Sequence, residues 1–251
     1  MNTTKHMNAL THRLWTAMPN FVDCDVFRPP ASPDEKTALR RSAGVPADAL
    51  VVISVAALKK GHKRVDHVIR EFRAAERVDS FLVLAGASTS ETPDIRALAG
   101  ADPRMRILAD YPHEQIAGLL RTADVMVLGS LFEMMPIAVL EGLASGLPVI
   151  THCHPVMMWM TGAEGARPQT PDHRLQTQEM SSGNVVCPTC GGLGIDMGRD
   201  GVLADALAGL TPAWIEEHGR NARQRALKMF SSQAVIRQYA EYYRNVLRAN
   251  P

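Results

Sequence analysis

The stretch that decides the fold is EMMPIAVLEGLASGLPVI, residues 133–150, in which Glu141 is the single charged residue after the first position. The pattern predicts a short buried helix over Pro136–Ala144, then a turn, then a strand over Leu147–Thr151. Pro136 suits the first helical position, where the missing N–H matters least. Because an isolated buried carboxylate is costly, we expect Glu141 to be hydrogen-bonded or paired.

The start of this helix is a candidate ligand site. Its first backbone N–H groups, on Ile137, Ala138 and Val139, have no acceptor within the helix and open toward whatever lies above it. Glu133 precedes the helix and Glu141 lies inside it. A helix N-terminus placed between two carboxylates can hold a phosphate and sugar hydroxyls together, so the pattern outlines a nucleotide-sugar site.

Strands and helices alternate through most of the chain. Leu50–Ala57 is rich in β-branched residues, which is typical of a strand buried on both faces of a parallel sheet. Further strands are predicted over Phe81–Gly86, Met105–Ala109 and Val125–Gly129. Helices are predicted over Asp34–Ala43, Val65–Phe72, Pro93–Leu98, Pro112–Arg121, Gly201–Leu210, Ala213–Met229 and Gln233–Arg248. This alternation predicts a doubly wound parallel α/β sheet of Rossmann-like type, with ligands at the carboxyl ends of the strands.

The predicted organisation is one domain over residues 34–251, preceded by an amino-terminal helix and a Pro-rich linker over residues 1–33. Residues 164–192 are polar and rich in Pro, Gly and Ser, which predicts an irregular insertion, with order resuming at Leu193–Met197. The last helix carries an apolar stripe that we expect to pack in the core. Its members are Val235, Ile236, Tyr239, Tyr243 and Leu247.

Composition excludes several classes of protein. With 251 residues and 46% hydrophobic residues, the chain can bury a full core. It has 27 basic and 26 acidic residues, so no nucleic-acid partner is expected. The sequence shows neither the apolar segment of a signal peptide nor a stretch long enough to span a membrane. Four cysteines do not form a disulfide framework, and we expect a cytoplasmic protein. Membrane association through a partner domain stays open.

The cysteine pair Cys187 and Cys190 resembles half of a zinc ribbon. A second pair is absent, and the complement would have to come from His152, Cys153 and His154 across the insertion. We therefore predict no metal site and expect free thiols in a loop. A redox role is less favoured still, because the glycines that follow Cys190 do not continue a helix.

Five segments together resemble the carboxy-terminal, donor-binding domain of GT-B retaining glycosyltransferases, in the glycosyl transferase group 1 family (family 4). The resemblance covers most of residues 19–248. In chain order its segments are the linker PNFVDCDVFRP at 19–29, a phosphate loop over Leu58–Ile69, the E-x7-E pair Glu133 and Glu141, the strand approach SGLPVI at 145–150, and the closing helix Phe230–Tyr243. Their order along the chain makes the resemblance specific.

The resemblance implies transfer of a sugar from a nucleotide diphosphate sugar to an acceptor hydroxyl with retention, without a cofactor. Glu133, the catalytic candidate, would lie near the donor sugar and position its hydroxyls. Glu141 would accept hydrogen bonds from both ribose hydroxyls, and Lys63 would neutralise the diphosphate. Backbone N–H groups of Met135 and Ile137 would contact the sugar or the phosphate.

The sequence departs from the family pattern at the phosphate loop. The arginine that the family usually places after the first strand is Ala57 here, so Arg64 becomes the second candidate cation, with Lys60 as the alternative. The family's Gly-Phe-Gly is Met134–Pro136, and without glycine the backbone approaches a ligand less closely. The nucleobase is expected against the loop Ala109–Tyr111.

A GT-B enzyme has two domains, and only eighteen residues precede the linker here. The resemblance therefore implies an incomplete enzyme, or a separate amino-terminal domain or chain that binds the acceptor. The alternative is a non-catalytic remnant or subunit that binds the nucleotide sugar and needs that other half. An epimerase or a phosphorylase of the same architecture is less favoured. The one lysine after Lys63 is Lys228, on a terminal helix, where a pyridoxal phosphate is not expected.

Overall fold

A computed structural model describes residues 18–163 and 190–249. Six parallel strands form one sheet in the order β3-β2-β1-β4-β5-β6. The strands are β1 (Leu50–Val55), β2 (Ser80–Gly86), β3 (Met105–Ala109), β4 (Val125–Val127), β5 (Val149–His152) and β6 (Gly192–Ile195). The order reverses between β1 and β4, which is the switch point of a doubly wound sheet. The predicted fold class is confirmed.

Helices connect the strands. They are α1 (Pro33–Ala43), α2 (Val65–Ala74), α3 (Thr92–Ala99), α4 (His113–Leu120), α5 (Ile137–Ala144), α6 (Pro155–Thr161), α7 (Val202–Ala208), α8 (Pro212–Arg225) and α9 (Ser232–Ala249), with a π-helical turn over Ala226–Phe230. The predicted helix within residues 1–18 and most of the predicted insertion lie outside the described residues.

The structure corrects several details of the sequence prediction. Pro136 is the extended residue before α5 rather than its first helical residue. Strand β4 ends at Val127, two residues early. Helix α6 was not predicted, because seven residues are too few to display a helical period. Gly192, assigned to the insertion, opens β6 and pairs with Val149.

Apolar side chains cover both faces of the sheet. Along β1, Val51 and Ile53 join the apolar cluster that contains the buried side of α5, whereas Val52 joins the cluster of α2 and α7. All three residues are at most 1% exposed. Burial on both faces explains why these strands read as continuous apolar runs rather than as an alternation.

Most of the apolar stripe of α9 does not pack in the core, contrary to prediction. Val235 is fully buried, but Ile236, Tyr243 and Leu247 are 55%, 60% and 71% exposed. Tyr239, one turn after Val235, is half-buried, so the burial of the stripe declines along α9. A helical period shows that one face is apolar, but it does not show which surface covers that face.

The linker is fastened to the terminal helices. Val22 forms a strand-like bridge with Ser231. The guanidinium of Arg223, on α8, donates to three carbonyl oxygens, among them those of Cys24 and Ala144. These bonds hold the linker beside the end of α5. None of the helices in residues 18–163 and 190–249 combines the length and apolar character that a membrane crossing needs.

Candidate functional site

The loops that follow β1 and β4 meet at the switch point of the sheet. Gly129 makes this approach possible: a Cβ added there would lie 3.0 Å from the carbonyl oxygen of Lys63 and 3.1 Å from that of Arg64. A larger residue would force the loops apart. The close approach brings the side chain of Lys63, before α2, to that of Glu133, before α5.

Lys63 and Glu133 form an ion pair, with Nζ 2.5 Å from Oε1. The Nε2 atom of His62 lies 3.4 Å from the same oxygen and 2.7 Å from the carbonyl oxygen of Phe132. Burial acts to raise the pKa of Glu133, but the Lys63 hydrogen bond and the nearby positive charges outweigh it, so the pKa is lowered. The hydroxyl of Ser130 is close enough to favour the charged form of Glu133, although it has no formed hydrogen bond within the described residues. Glu133 is therefore held as a carboxylate.

Glu141 projects from the middle of α5 and is 3% exposed. Its Oε1 lies 3.0 Å from Nε2 of His113, the first residue of α4. Burial raises the pKa of Glu141, and the His113 hydrogen bond opposes this only in part. Within the described residues its hydrogen-bond partner is this histidine and not an internal arginine. The His113 side chain is 76% exposed, so it can rotate away without disturbing the core.

The amino end of α5 is open. Pro136 supplies no N–H, and among the residues that the structure describes no side chain caps this helix end. Ile137, the first residue of the helix, is 53% exposed. Asn20 of the linker holds Met135 by donating its side-chain amide to the Met135 carbonyl oxygen, at 3.2 Å. The N–H of Val139, predicted to be free, donates to the carbonyl oxygen of Pro136 at 3.1 Å. The N–H groups of Ile137 and Ala138 have no backbone partner within the described residues, and together with the helix dipole they suit this end to an anion.

The two candidates for the second cation differ in their surroundings. The ammonium of Lys60 forms an ion pair with Asp94 on α3, at 2.6 Å. Arg64 donates one Nη2 hydrogen to the carbonyl oxygen of Met197, beyond β6, at 2.9 Å. Its Nε is buried and has no hydrogen-bond partner in the part of the chain that the structure describes. Arg64 therefore keeps a donor that has no partner among the described residues, whereas the Lys60 ammonium is already held by the carboxylate of Asp94.

The loop assigned to the nucleobase is ordered by Asp110, which adopts a left-handed backbone with φ 53°. Its carboxylate accepts hydrogen bonds from the hydroxyl and the backbone N–H of Ser88, in the loop after β2. The hydroxyl bond, followed by the backbone bond, lowers the pKa of Asp110. These bonds hold the loops after β2 and β3 together, next to His113, the hydrogen-bond partner of Glu141.

The structure joins the predicted residues with others that the sequence reasoning missed. His113 and His62 contact the two glutamates, yet each lies far from its partner in the chain. His113 carried one signal, since it opens a helix just after the carboxyl end of β3, where ligand-contacting residues collect.

The cysteine prediction is partly corrected. Cys190 is buried, with Sγ 2.8 Å from the carbonyl oxygen of Gly192, because this segment enters the sheet rather than an exposed loop. Cys187 lies outside the described residues. His152, one of the proposed complementary ligands, accepts the backbone N–H of Met197 through Nδ1.

A cavity of about 420 Å³ lies at the opposite end of the sheet. Its lining includes Asp124, which immediately precedes β4, and Leu147, two residues before β5. Two of its cations are already paired, Lys36 with Asp124 and Arg220 with Glu216. We place the candidate site at the carboxyl ends instead, because the open helix end and the two buried glutamates are there.

The fold and the groups at the carboxyl ends of the strands define a Rossmann-type domain. Its switch point carries a lysine, two buried carboxylates and an open helix N-terminus. The family model of the glycosyl transferases group 1 matches residues 35–163. The chain belongs to this family.

Comparisons with individual proteins agree. The putative glycosyltransferase EpsF of Bacillus subtilis is 34% identical over 142 residues, which are 53% of this chain and 34% of that protein. The D-inositol 3-phosphate glycosyltransferase of Corynebacterium efficiens is 35% identical over 120 residues, 44% of this chain and 28% of that protein. The chain thus spans about a third of the length of these relatives.

Solved structures share the fold. A sucrose-phosphate synthase from Thermosynechococcus elongatus has a TM-score of 0.73 at 20% identity, covering 99% of this chain and 58% of that one. HepE of Anabaena, solved in complex with UDP and glucose, has a TM-score of 0.71 at 18% identity, covering 92% and 57%. The chain therefore has the fold of the carboxy-terminal half of GT-B glycosyltransferases.

Proposed function

We propose that this chain is the donor-binding domain of a retaining glycosyltransferase that uses a nucleotide diphosphate sugar. The observation that carries the proposal is the gathering of Lys63, Glu133, the open end of α5 and Glu141 at one edge of the sheet. Separately, each feature is common. At a switch point they supply charge for a diphosphate and acceptors for hydroxyl groups on either side of it.

The donor orientation follows from the position of the two glutamates. Glu141 lies near the base loop and faces a displaceable histidine, so it takes the ribose diol. Glu133 lies on the other side of the α5 end and takes the sugar hydroxyls. Lys63 has three N–H donors and spends one on Glu133, which leaves two for the diphosphate without breaking the ion pair. Arg64 is the second phosphate ligand in this proposal.

In the proposed reaction the bond between the sugar's anomeric carbon and the phosphate oxygen breaks, and the nucleoside diphosphate departs. Lys63 and the positive end of α5 stabilise the charge that develops on it. The acceptor hydroxyl attacks from the same face, and its proton passes to the departing phosphate oxygen. This chain's residues bind and orient the donor, and the step needs no cofactor of the protein.

Acceptor binding is assigned to a separate amino-terminal domain or chain. The rim of the site is apolar and exposed, with Phe132, Met134 and Ile137 at 59%, 82% and 53%. Such a patch beside charged residues is typical of a surface that another domain covers. HepE shares the fold, and this chain matches 57% of its length, so HepE has a large part beyond the matched segment. A subunit that binds the donor but requires this other half for transfer is the second candidate function.

Binding and turnover separate the two candidates. The chain is titrated with UDP-glucose, GDP-mannose and ADP-glucose in a thermal-shift panel, and release of nucleoside diphosphate is followed by a coupled assay. We expect one nucleotide class to raise the melting temperature. Slow hydrolysis that is lost in Lys63→Met supports the transferase, and binding without hydrolysis supports the subunit. The absence of binding to any of the three donors would overturn both.

A further inference from the structure

A second cluster of ligand-type residues lies at the seam between α2 and α7, on the α2 flank of the sheet. His67 and Glu71 are four residues apart on α2, which places them on one face of that helix. Asp200 precedes α7 and approaches them from the other side of the seam. One ligand atom from each of the three lies within 4.8 Å of the others, and His67 Nδ1 is 3.6 Å from an Asp200 carboxylate oxygen.

His67 is the residue that points to a ligand. It is 1% exposed, and neither ring nitrogen has a hydrogen-bond partner in residues 18–163 and 190–249. Buried polar atoms are nearly always satisfied, so two orphaned nitrogens in one ring need an explanation. An imidazole nitrogen that neither donates nor accepts a hydrogen bond keeps its lone pair for a metal ion, and the neutral ring is the form that binds metals.

Glu71 is already held in place. Its Oε2 accepts the backbone N–H groups of Leu203 and Ala204, both at 3.1 Å, and its Oε1 accepts that of Gly201 at 2.9 Å. Each carboxylate oxygen has two acceptor positions, so Oε1 retains one that is unused. Hydrogen bonds of this kind, made by a ligand to groups behind it, fix its orientation and are typical of protein metal sites.

We propose that His67, Glu71 and Asp200 bind a divalent transition-metal ion, with Zn²⁺ as the reference ion. One imidazole nitrogen and two carboxylate oxygens, completed by water, suit Zn²⁺ in four-coordinate geometry. Mg²⁺ and Ca²⁺ prefer oxygen ligands throughout and are disfavoured by the histidine. The ion joins α2 to α7, and it therefore braces the helix that follows the Lys63 loop. This site is separate from the proposed donor site and does not depend on it.

Titration of the metal-free chain with Zn²⁺ by calorimetry, and with Co²⁺ by visible absorption, tests the proposal. Asp200→Asn removes one ligand from a 92% exposed side chain, so folding is not at risk. His67→Phe fills the same buried space with a ring that has no nitrogen. Asp205→Asn, on the exposed face of α7, is the matched control. Circular dichroism verifies the fold of each variant.

We expect one tight equivalent of metal in the wild type and in Asp205→Asn, without the thiolate charge-transfer band of a cysteine ligand. Affinity should fall at least about tenfold in Asp200→Asn, since even changes behind the ligands of a metal site cost that much. His67→Phe should lose the site. A wild-type chain that binds no metal, a thiolate band in the Co²⁺ spectrum, or equal affinity in the wild type and Asp200→Asn would overturn the assignment.

Discussion

Replacing the carboxylate of Glu141 by an amide separates binding from stability. Glu141→Gln keeps the size of the side chain and one oxygen acceptor, so the contact with Nε2 of His113 can persist. The second oxygen becomes an NH₂ group, which cannot accept a hydroxyl hydrogen. If Glu141 holds the ribose diol, the variant loses one charge-assisted hydrogen bond to the nucleotide and weakens the other.

The size of the effect follows from the burial of the carboxylate. Glu141 is 3% exposed, so water does not replace a lost bond. A hydrogen bond to a charged group contributes about 1.5–3 kcal/mol. The nucleotide Kd should therefore rise about 10- to 150-fold at 25 °C.

Folding should respond in the opposite direction. The pKa of Glu141 is raised in the folded chain, first by burial, so the folded state favours the protonated form. The contribution of protonated Glu141 to the stability of the wild type is complete below the pKa of a free glutamate, about 4.3. It is lost as the pH rises through the raised pKa of the folded state. Glu141→Gln does not titrate. Its stability relative to the wild type should therefore increase from pH 4 to pH 8.

Calorimetry with the nucleoside diphosphate selected by the thermal-shift panel measures Kd, and urea unfolding at several pH values measures stability. Glu114→Gln is the matched control, because Glu114 is exposed on the neighbouring helix α4. We expect the control to behave as the wild type in both assays. An unchanged nucleotide Kd in a folded Glu141→Gln chain would refute the role of Glu141 in ribose binding.

Four further substitutions test the site and the packing. Lys63→Met should weaken nucleotide binding by about tenfold or more. The pKa of Glu133 is lowered when Lys63 is present. The wild type should therefore be more stable than Lys63→Met by its full margin above pH ~4.3, and by less as the pH falls through the lowered pKa of Glu133. A difference in unfolding free energy that does not depend on pH would contradict the ion pair. Arg223→Met loses three hydrogen bonds to carbonyl oxygens and should cost on the order of 3 kcal/mol in urea unfolding, whereas a loss below 1 kcal/mol would show that the linker is not held there. Val235→Ala should cost about 2 kcal/mol and Ile236→Ala within about 0.5 kcal/mol, and equal costs would mean that the outer face of α9 is covered.

Much of the fold was predictable because it depends on local patterns. β-branched runs such as Leu50–Val55 alternate with amphipathic segments, and that alternation fixes the class of the fold. Helix α6 and the end of β4 were missed because short elements carry too few residues for a period to appear. The stripe on α9 was misassigned, since a helix with one apolar face looks the same in sequence whether the domain or another surface covers it.

What the sequence determined by itself is the α/β class, from the alternation of its segments, and the choice of Lys63, Glu133 and Glu141 as candidates. Glu141 stands out as a lone charge in an apolar run, and the E-x7-E pair and the loop of Lys63 resemble those of a known family. The tertiary structure alone decided which side chains meet. His113 reaches Glu141 across 28 positions of sequence, and His67 meets Asp200 across the seam of two helices. Such pairs form because the order of the strands in the sheet places distant loops side by side. The sequence pattern shows which segments are strands, but for their order in the sheet it offers only the general preferences of known folds.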